Sequence, residues 1–130
     1  MINTTRELID IARELGSPYF DESTMRFFSS RVHQTVYRGA LFVTSEQDDS
    51  GVVWGGARRY TVRRFQIMGD SVTFQTVGEF GQYATGEEAG EAARRLSVGF
   101  KVCGECGRVF DTIGNTDDAG EWAYGHDCEV

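Results

Sequence analysis

The sequence contains no apolar run long enough to cross a membrane, and its N-terminus lacks the basic and then apolar arrangement of a secretory signal peptide. It has only three cysteines, an odd number, and all of them follow residue 102. Small secreted proteins usually carry an even set of cysteines that is spread along the chain as a disulfide framework. These absences predict a protein of the cytoplasm with reduced thiols and no membrane association.

Lysine is almost absent, because Lys101 is the only lysine among thirteen basic side chains. The net charge is −7, and residues 101–130 contribute two basic and seven acidic side chains to it. An acidic surface repels phosphate backbones, so the charge argues against non-specific binding to nucleic acid. It favours instead a protein partner that presents a basic surface.

Recognisable catalytic motifs are missing as well. The chain has no phosphate-binding Gly-Lys loop, no Gly-x-Ser-x-Gly elbow and no His-Glu-x-x-His helix. His33 is the only histidine outside the C-terminal segment, and no motif of a nucleophile lies near it in sequence. We therefore predict that the protein is not an enzyme.

The C-terminal segment carries the clearest chemical signal, a Cys-x-x-Cys motif followed by His-x-Cys. Three thiols and one imidazole are the ligand set of a closed tetrahedral Zn²⁺ site, which has no coordination position for water. We predict a structural zinc ion bound by four side chains: Cys103, Cys106, His126 and Cys128.

Two alternatives to this site remain open from the sequence. The three cysteines are also consistent with unpaired thiols in a reducing cytosol. In addition, His-x-Cys is shorter than the common ligand spacing, so Asp127 or Asp117 is an alternative ligand. Three protein ligands with a bound water would make the metal site catalytic, as in a small metalloenzyme.

Two amphipathic helices are predicted, each with a capping box at its N-terminus. Thr4 and Glu7 begin a helix over residues 4–15, and Thr85 and Glu88 begin a second helix that ends at about Ser97. A helical turn is expected within residues 21–30. Since both long helices have a narrow apolar stripe, we expect both to cover the same face of a sheet, with the other face exposed or bound to a partner.

Alternating residues and turn signals predict strands over residues 31–37, 40–47, 58–67 and 71–77, with a hairpin turn at Gly69-Asp70. Residues 78–83 are expected to continue the fourth strand with a bend. The predicted fold is α+β: a helix, an antiparallel meander of about four strands, a helix, and a zinc-knuckle-like tail. Residues 1–100 would form the α+β domain and residues 101–130 the zinc-binding module.

Trp54, Arg59 and Arg63 are the candidate binding residues outside the tail. Trp54 lies between glycines in a loop, where a large aromatic side chain can contact a partner or a base, or can fold back onto the edge of the core. Arg59 and Arg63 share one side of a strand, which suits a cationic face for RNA or phosphate. Alternatively, they pair across strands with Glu46 or Glu79. A nucleic-acid-binding module that uses this face and the zinc knuckle is therefore the second functional hypothesis.

Four sequence strings resemble a family of small uncharacterised proteins encoded by tailed bacteriophages, especially those of actinobacteria. They are MRFFSSR (25–31), FVTSE (42–46), RYTVR (59–63) and GEFGQY (78–83), and the resemblance covers roughly residues 3–97. It implies a phage accessory protein made in the cytoplasm of the bacterial host, and it supplies no catalytic residues. With the zinc site, this favours a non-enzymatic protein that binds a host or phage protein and thereby inhibits host machinery or defence.

Overall fold

The computed structural model describes residues 2–17, 30–48, 52 and 54–128. In chain order their elements are α1 (Thr5–Glu14), β1 (Arg31–Tyr37), β2 (Leu41–Gln47), β3 (Arg58–Met68), β4 (Ser71–Val77), α2 (Gly86–Ser97), β5 (Phe100–Val102), β6 (Val109–Asp111) and α3 (Thr116–Tyr124). Strands β1 to β4 form an antiparallel sheet in sequence order, and β5 pairs with β6 in a second, two-stranded sheet. The predicted α+β fold is confirmed. The helical turn expected within residues 21–30 falls, apart from Ser30, outside the described residues.

Every helix in the described ranges is too short or too polar to span a lipid bilayer. The first two helices begin where the capping signals predict. The Thr4 hydroxyl accepts a hydrogen bond from the Glu7 amide at 3.3 Å, and the Thr85 hydroxyl accepts one from the Glu88 amide at 3.1 Å. Each bond satisfies a donor that the first helical turn leaves unpaired, so these local signals determine where the helices start.

The segment after β4 does not continue that strand, contrary to the sequence-based prediction. Gly78 and Gly81 both have positive φ angles, 80° and 68°, and they turn the chain back towards the sheet. Tyr83 then pairs with Tyr60 through two backbone hydrogen bonds of 2.9 and 3.0 Å. The loop therefore lies beside the start of β3 and leads directly into α2.

The two long helices pack on opposite faces of the four-stranded sheet, so the expectation that they share one face is wrong. The α2 alanines pack with Leu41, Val43 and Val62, whereas the α1 side chains pack with Phe42 and Phe65. The reason lies in β2, where three apolar residues follow one another and alternate between faces. Both faces of this central strand are buried as a result.

A charged group lies inside the sheet on the α1 face. Glu46 is only 2% exposed, and its carboxylate accepts hydrogen bonds from the Thr44 hydroxyl at 2.7 Å and the Thr61 hydroxyl at 3.2 Å. Arg63 completes the group with a salt bridge of 3.1 Å to the same carboxylate. A buried carboxylate is tolerated only when such partners replace water, so these four side chains depend on one another.

We expect Glu46→Ala to destabilise the protein by about 3–5 kcal/mol, because it leaves the Arg63 guanidinium without its counter-ion. The double variant Glu46→Gln with Arg63→Met should lose less, since no buried charge then remains. Urea unfolding of this double variant and of the single variants Glu46→Gln and Arg63→Met measures the coupling between the two side chains, and Glu46→Ala is measured beside them. A loss below about 1 kcal/mol for Glu46→Ala, as for a surface ion pair, would contradict this account.

Candidate metal centre

The turn between β5 and β6 positions the first two cysteines. The Cys103 amide donates to the Arg108 carbonyl at 2.9 Å, and the Gly107 amide donates back to the Cys103 carbonyl at 3.0 Å. These two bonds close a tight turn around Cys106, which is buried, while Cys103 is half-buried. The Cys-x-x-Cys spacing thus forms a rigid knuckle with both sulfurs on one side.

Helix α3 brings the chain back to this knuckle. The Asn115 side chain caps the helix by accepting a hydrogen bond from the Asp118 amide at 3.1 Å. Arg108 holds the helix against β6 through salt bridges of 3.7 Å to Asp118 and 2.5 Å to Glu121. The Asp118 carboxylate also accepts a hydrogen bond from the Asp111 amide at 3.0 Å. The residues that follow α3 are therefore directed over the β5–β6 hairpin.

Aromatic packing orients the histidine at this point. The Phe110 ring is fully buried, and its centroid lies 4.6 Å from that of the His126 ring and 5.6 Å from that of Trp122. The Arg108 guanidinium covers Phe110 with its central carbon 4.6 Å from the ring centroid. The imidazole is thus held by ring contacts while its Nε2 atom faces the cysteines.

Four donor atoms converge between the knuckle and the segment after α3. The Cys103 and Cys128 sulfurs are 3.8 Å apart, and His126 Nε2 lies 3.6 Å from the Cys106 sulfur and 3.4 Å from the Cys128 sulfur. All four ligand atoms lie within 4.8 Å of one another. These four residues form a cluster that can hold a metal ion.

Three of the six separations between the donor atoms fit one ion at the centre of a tetrahedron. With metal–sulfur bonds of about 2.3 Å and metal–nitrogen bonds of about 2.0–2.1 Å, a regular tetrahedron has edges of about 3.8 Å between sulfurs and about 3.6 Å between sulfur and nitrogen. The observed separations of 3.8, 3.6 and 3.4 Å are within a few tenths of an ångström of these values. The remaining pairs of donor atoms lie within 4.8 Å of each other, so the cluster is compact enough for one ion to contact all four side chains.

The electrostatics of the cluster also favour a cation. Hydrogen bonds from the backbone amides of Cys106 and Glu105 lower the pKa of the Cys103 thiol to about 6. Burial, followed by the neighbouring sulfurs of Cys103 and Cys106, raises the pKa of the Cys128 thiol to about 12. The first thiolate is thus stabilised by the protein, whereas further thiolates in the same space repel one another unless a positive ion lies among them.

The knuckle packs directly against the four-stranded sheet. The Val109 amide donates to the Gln66 side-chain carbonyl at 2.7 Å, and the Arg64 guanidinium donates to the Val109 carbonyl at 3.2 Å. Phe100 and Val109 belong to the same apolar core as the α2 alanines. The orientation of the cluster is therefore fixed relative to β3.

The structure brings together Cys103, Cys106, His126 and Cys128, and among the described residues this cluster includes neither Asp117 nor Asp127. Asp117 lies exposed in the first turn of α3, and Asp127 is exposed between two members of the cluster. Sequence reasoning missed α3 itself and the parts played by Arg108 and Phe110. The one available signal was Asn115 three residues before Asp118, which is the spacing of an N-terminal helix cap.

Arg59 and Arg63, the candidate binding residues in β3, lie on the opposite side of this strand from Arg64. Arg59 donates to the carbonyls of Gly81 at 2.8 Å and Gln82 at 3.0 Å. Arg63, besides its salt bridge, donates to the Thr44 hydroxyl at 3.1 Å and the Thr76 hydroxyl at 2.9 Å.

Trp54 folds towards the same region as these arginines. Its ring centroid lies 5.2 Å from that of Phe80, and a methyl group on Gly81 would collide with the indole at 2.4 Å. The Arg63 guanidinium also covers Phe80, 5.4 Å from the ring centroid. All three predicted binding residues are therefore engaged in contacts within the chain.

Comparison with known proteins gives one match. Residues 4–94 match the model of a family described as a family of unknown function, DUF7447. No curated protein and no solved structure matches the chain. The matched segment runs from the start of α1 into α2 and ends before the first member of the Cys/His cluster.

Gly107 allows a direct test of how the knuckle attaches to the sheet. Its φ angle is 79°, and a Cβ atom at this position would lie 1.9 Å from the Ile67 carbonyl oxygen. We expect Gly107→Ala to destabilise the protein by at least about 2 kcal/mol, because the backbone carbonyl cannot move aside without breaking the end of β3.

Gly104→Ala is the matched control, because a Cβ atom at Gly104 meets nothing within 4 Å. This variant should change the free energy of unfolding by less than about 0.5 kcal/mol. Urea unfolding of the two variants measures both changes in the free energy of unfolding. Equal effects would show that the knuckle is not seated on β3 as described.

Proposed function

The chain belongs to the DUF7447 family of unknown function, and we propose that it is a non-enzymatic accessory protein with a structural Zn²⁺ ion. The observation that carries the proposal is the convergence of three sulfurs and one imidazole nitrogen within 4.8 Å. The ligands would be Cys103, Cys106, His126 and Cys128.

Zinc fits this ligand set better than other common metals. Thiolates and imidazole are the donors that Zn²⁺ binds in tetrahedral structural sites, whereas Mg²⁺ and Ca²⁺ require oxygen ligands and higher coordination numbers. An iron–sulfur cluster of several irons would need its four protein ligands spread around a larger inorganic core. The close packing of the donor atoms therefore supports a single ion.

The same geometry supports a structural role for the metal. Four protein ligands complete a tetrahedron, so the ion has no open position at which water could be activated. Helix α3, which leads to two of the ligands, buries none of its side chains. An ion in this place would supply free energy of folding that apolar burial does not supply here.

We further propose that the function is binding of another protein and not of nucleic acid. The guanidinium groups of Arg59 and Arg63 could bind phosphate only through N–H donors. These donors already bond to carbonyls, hydroxyls and Glu46 of the same chain. The acidic C-terminal segment favours a partner with a basic surface. With the resemblance to phage proteins, this supports a host or phage protein in the bacterial cytoplasm as the partner.

Purified protein should contain about one zinc ion per chain, and Cys106→Ser should lose most of it, because serine does not replace a thiolate in a soft site. Metal content is measured by inductively coupled plasma mass spectrometry. The thermal midpoint of unfolding should fall in the same variant and on adding a strong chelator to the wild type.

Asp127→Asn is the control, since this exposed side chain lies next to two ligands but outside the cluster. It should retain the metal and the wild-type thermal midpoint. Loss of metal in this control together with retention in Cys106→Ser would show that the ligand assignment is wrong. A metal-free wild-type protein with an unchanged thermal midpoint would overturn the structural role.

A further inference from the structure

The three sulfurs of the Cys/His cluster are not equally accessible from solvent. Cys106 is only 4% exposed, whereas Cys103 and Cys128 are half-buried. Cys103 also forms part of the wall of a cavity of about 300 Å³ between the knuckle and the end of β3, with Ile67 and Val109 in the same wall. A small reagent from solvent therefore meets Cys103 and Cys128 before it meets Cys106.

The two accessible cysteines are also close enough to be joined by a covalent bond. Their sulfurs lie 3.8 Å apart and a disulfide bond is about 2.05 Å long, so they must approach each other by less than about 2 Å. The sulfur of Cys106 has the Nε2 atom of His126 beside it at 3.6 Å. The geometry thus favours Cys103 and Cys128 as the reacting pair.

The backbone supports these two cysteines to different degrees. Cys103 lies in the knuckle, where hydrogen bonds of 2.9 and 3.0 Å hold its amide and its carbonyl. No backbone hydrogen bond between described residues holds residues 126–128. Cys128 can therefore move towards Cys103 without breaking a helix or a strand. Joining Cys103 to Cys106 would instead require movement inside the closed turn of the knuckle.

We propose that Cys103 and Cys128 form a reversible disulfide when a hydroperoxide oxidises them, and that this reaction releases the metal. The inference rests on the proposed zinc site and describes its regulation. Oxidation would convert the metal-bound knuckle into a metal-free form that is closed by a covalent bond.

The reaction has two steps. The Cys103 thiolate attacks the terminal oxygen of the hydroperoxide, so that an S–O bond forms, the O–O bond breaks and hydroxide or alkoxide leaves. The Cys128 thiolate then attacks the Cys103 sulfur, so that the S–S bond forms and the S–O bond breaks to release hydroxide. The two sulfurs lose the two electrons that the peroxide gains, and the zinc ion keeps its charge.

The oxidised form loses the metal but keeps the position of α3. The disulfide removes two of the four ligands, and Cys106 and His126 alone do not complete a tetrahedral site. The new bond joins the knuckle to the segment after α3, which is the connection that zinc supplies in the reduced form. A dithiol reductant, which is itself oxidised to a disulfide, restores both thiols and lets the site bind zinc again.

The test treats zinc-loaded full-length protein with about one equivalent of hydrogen peroxide per chain. We expect zinc release, measured with a chromogenic chelator, in parallel with a fall in free thiols from three per chain to one. Trypsin cleaves after Lys101 and Arg108 and so separates the knuckle from Cys128. Mass spectrometry should find these two peptides linked, and fragmentation should place the bond between Cys103 and Cys128. Dithiothreitol and zinc should restore the thiols and the metal.

Cys106→Ser and Cys128→Ser are matched variants, because each removes one sulfur from the cluster. Cys106→Ser should still form an intramolecular disulfide, and Cys128→Ser should do so at least about tenfold more slowly. Equal rates in the two variants would overturn the choice of pair. The wild-type peptide map does not depend on either variant folding. A bond between Cys103 and Cys106, a bond between chains, or thiol loss that dithiothreitol does not reverse would overturn the inference.

Metal analysis before oxidation separates this inference from the proposed zinc site. If the wild type contains zinc and peroxide leaves both the zinc and the thiols in place, the redox inference fails and the zinc proposal stands. If the wild type contains no zinc and still forms the bond between Cys103 and Cys128, the zinc proposal fails and the disulfide pair stands.

Discussion

Three sulfur atoms and an imidazole nitrogen in a space less than 5 Å across form the constraint around which residues 103–128 are arranged. Neutral thiols would gain little from such an arrangement, and three thiolates alone would repel one another. A bound cation would replace this repulsion by four coordinate bonds. The β5–β6 turn, the position of α3 and the ring contact between Phe110 and His126 together bring these four donors close to one another.

This C-terminal part is attached to the four-stranded sheet by several different interactions. Phe100 and Val109 extend the apolar core under α2, Arg64 and Gln66 bond to the backbone of β6, and Gly107 lies against the end of β3. The match to the family model covers residues 4–94, so it includes Arg64 and Gln66 but ends before Phe100, Gly107 and Val109. The Cys/His cluster therefore lies outside the matched segment, and contacts with β3 set its orientation.

The sequence predicted the features that depend on neighbouring residues. Thr4 and Thr85 mark the first two helices, alternation marks four strands, and the short cysteine spacing marks the knuckle. The sequence-based prediction failed for features that depend on contacts between residues far apart in the chain. The assignment of both helices to one face overlooked that Leu41, Phe42 and Val43 are apolar in succession, which requires cover on both sides of the sheet. Helix α3 was missed because it has no apolar stripe, and Arg108, which holds it, is 33% exposed and has no local pattern.

X-ray absorption spectroscopy at the zinc edge on the purified full-length protein tests the central claim most directly. The account predicts a single metal environment with three sulfur neighbours at about 2.3 Å and one nitrogen neighbour at about 2.0–2.1 Å. A spectrum dominated by oxygen or nitrogen neighbours, or one with a water ligand in place of a sulfur, would contradict it. The four side chains would then be close together for another reason, and the structural role of the metal would be wrong.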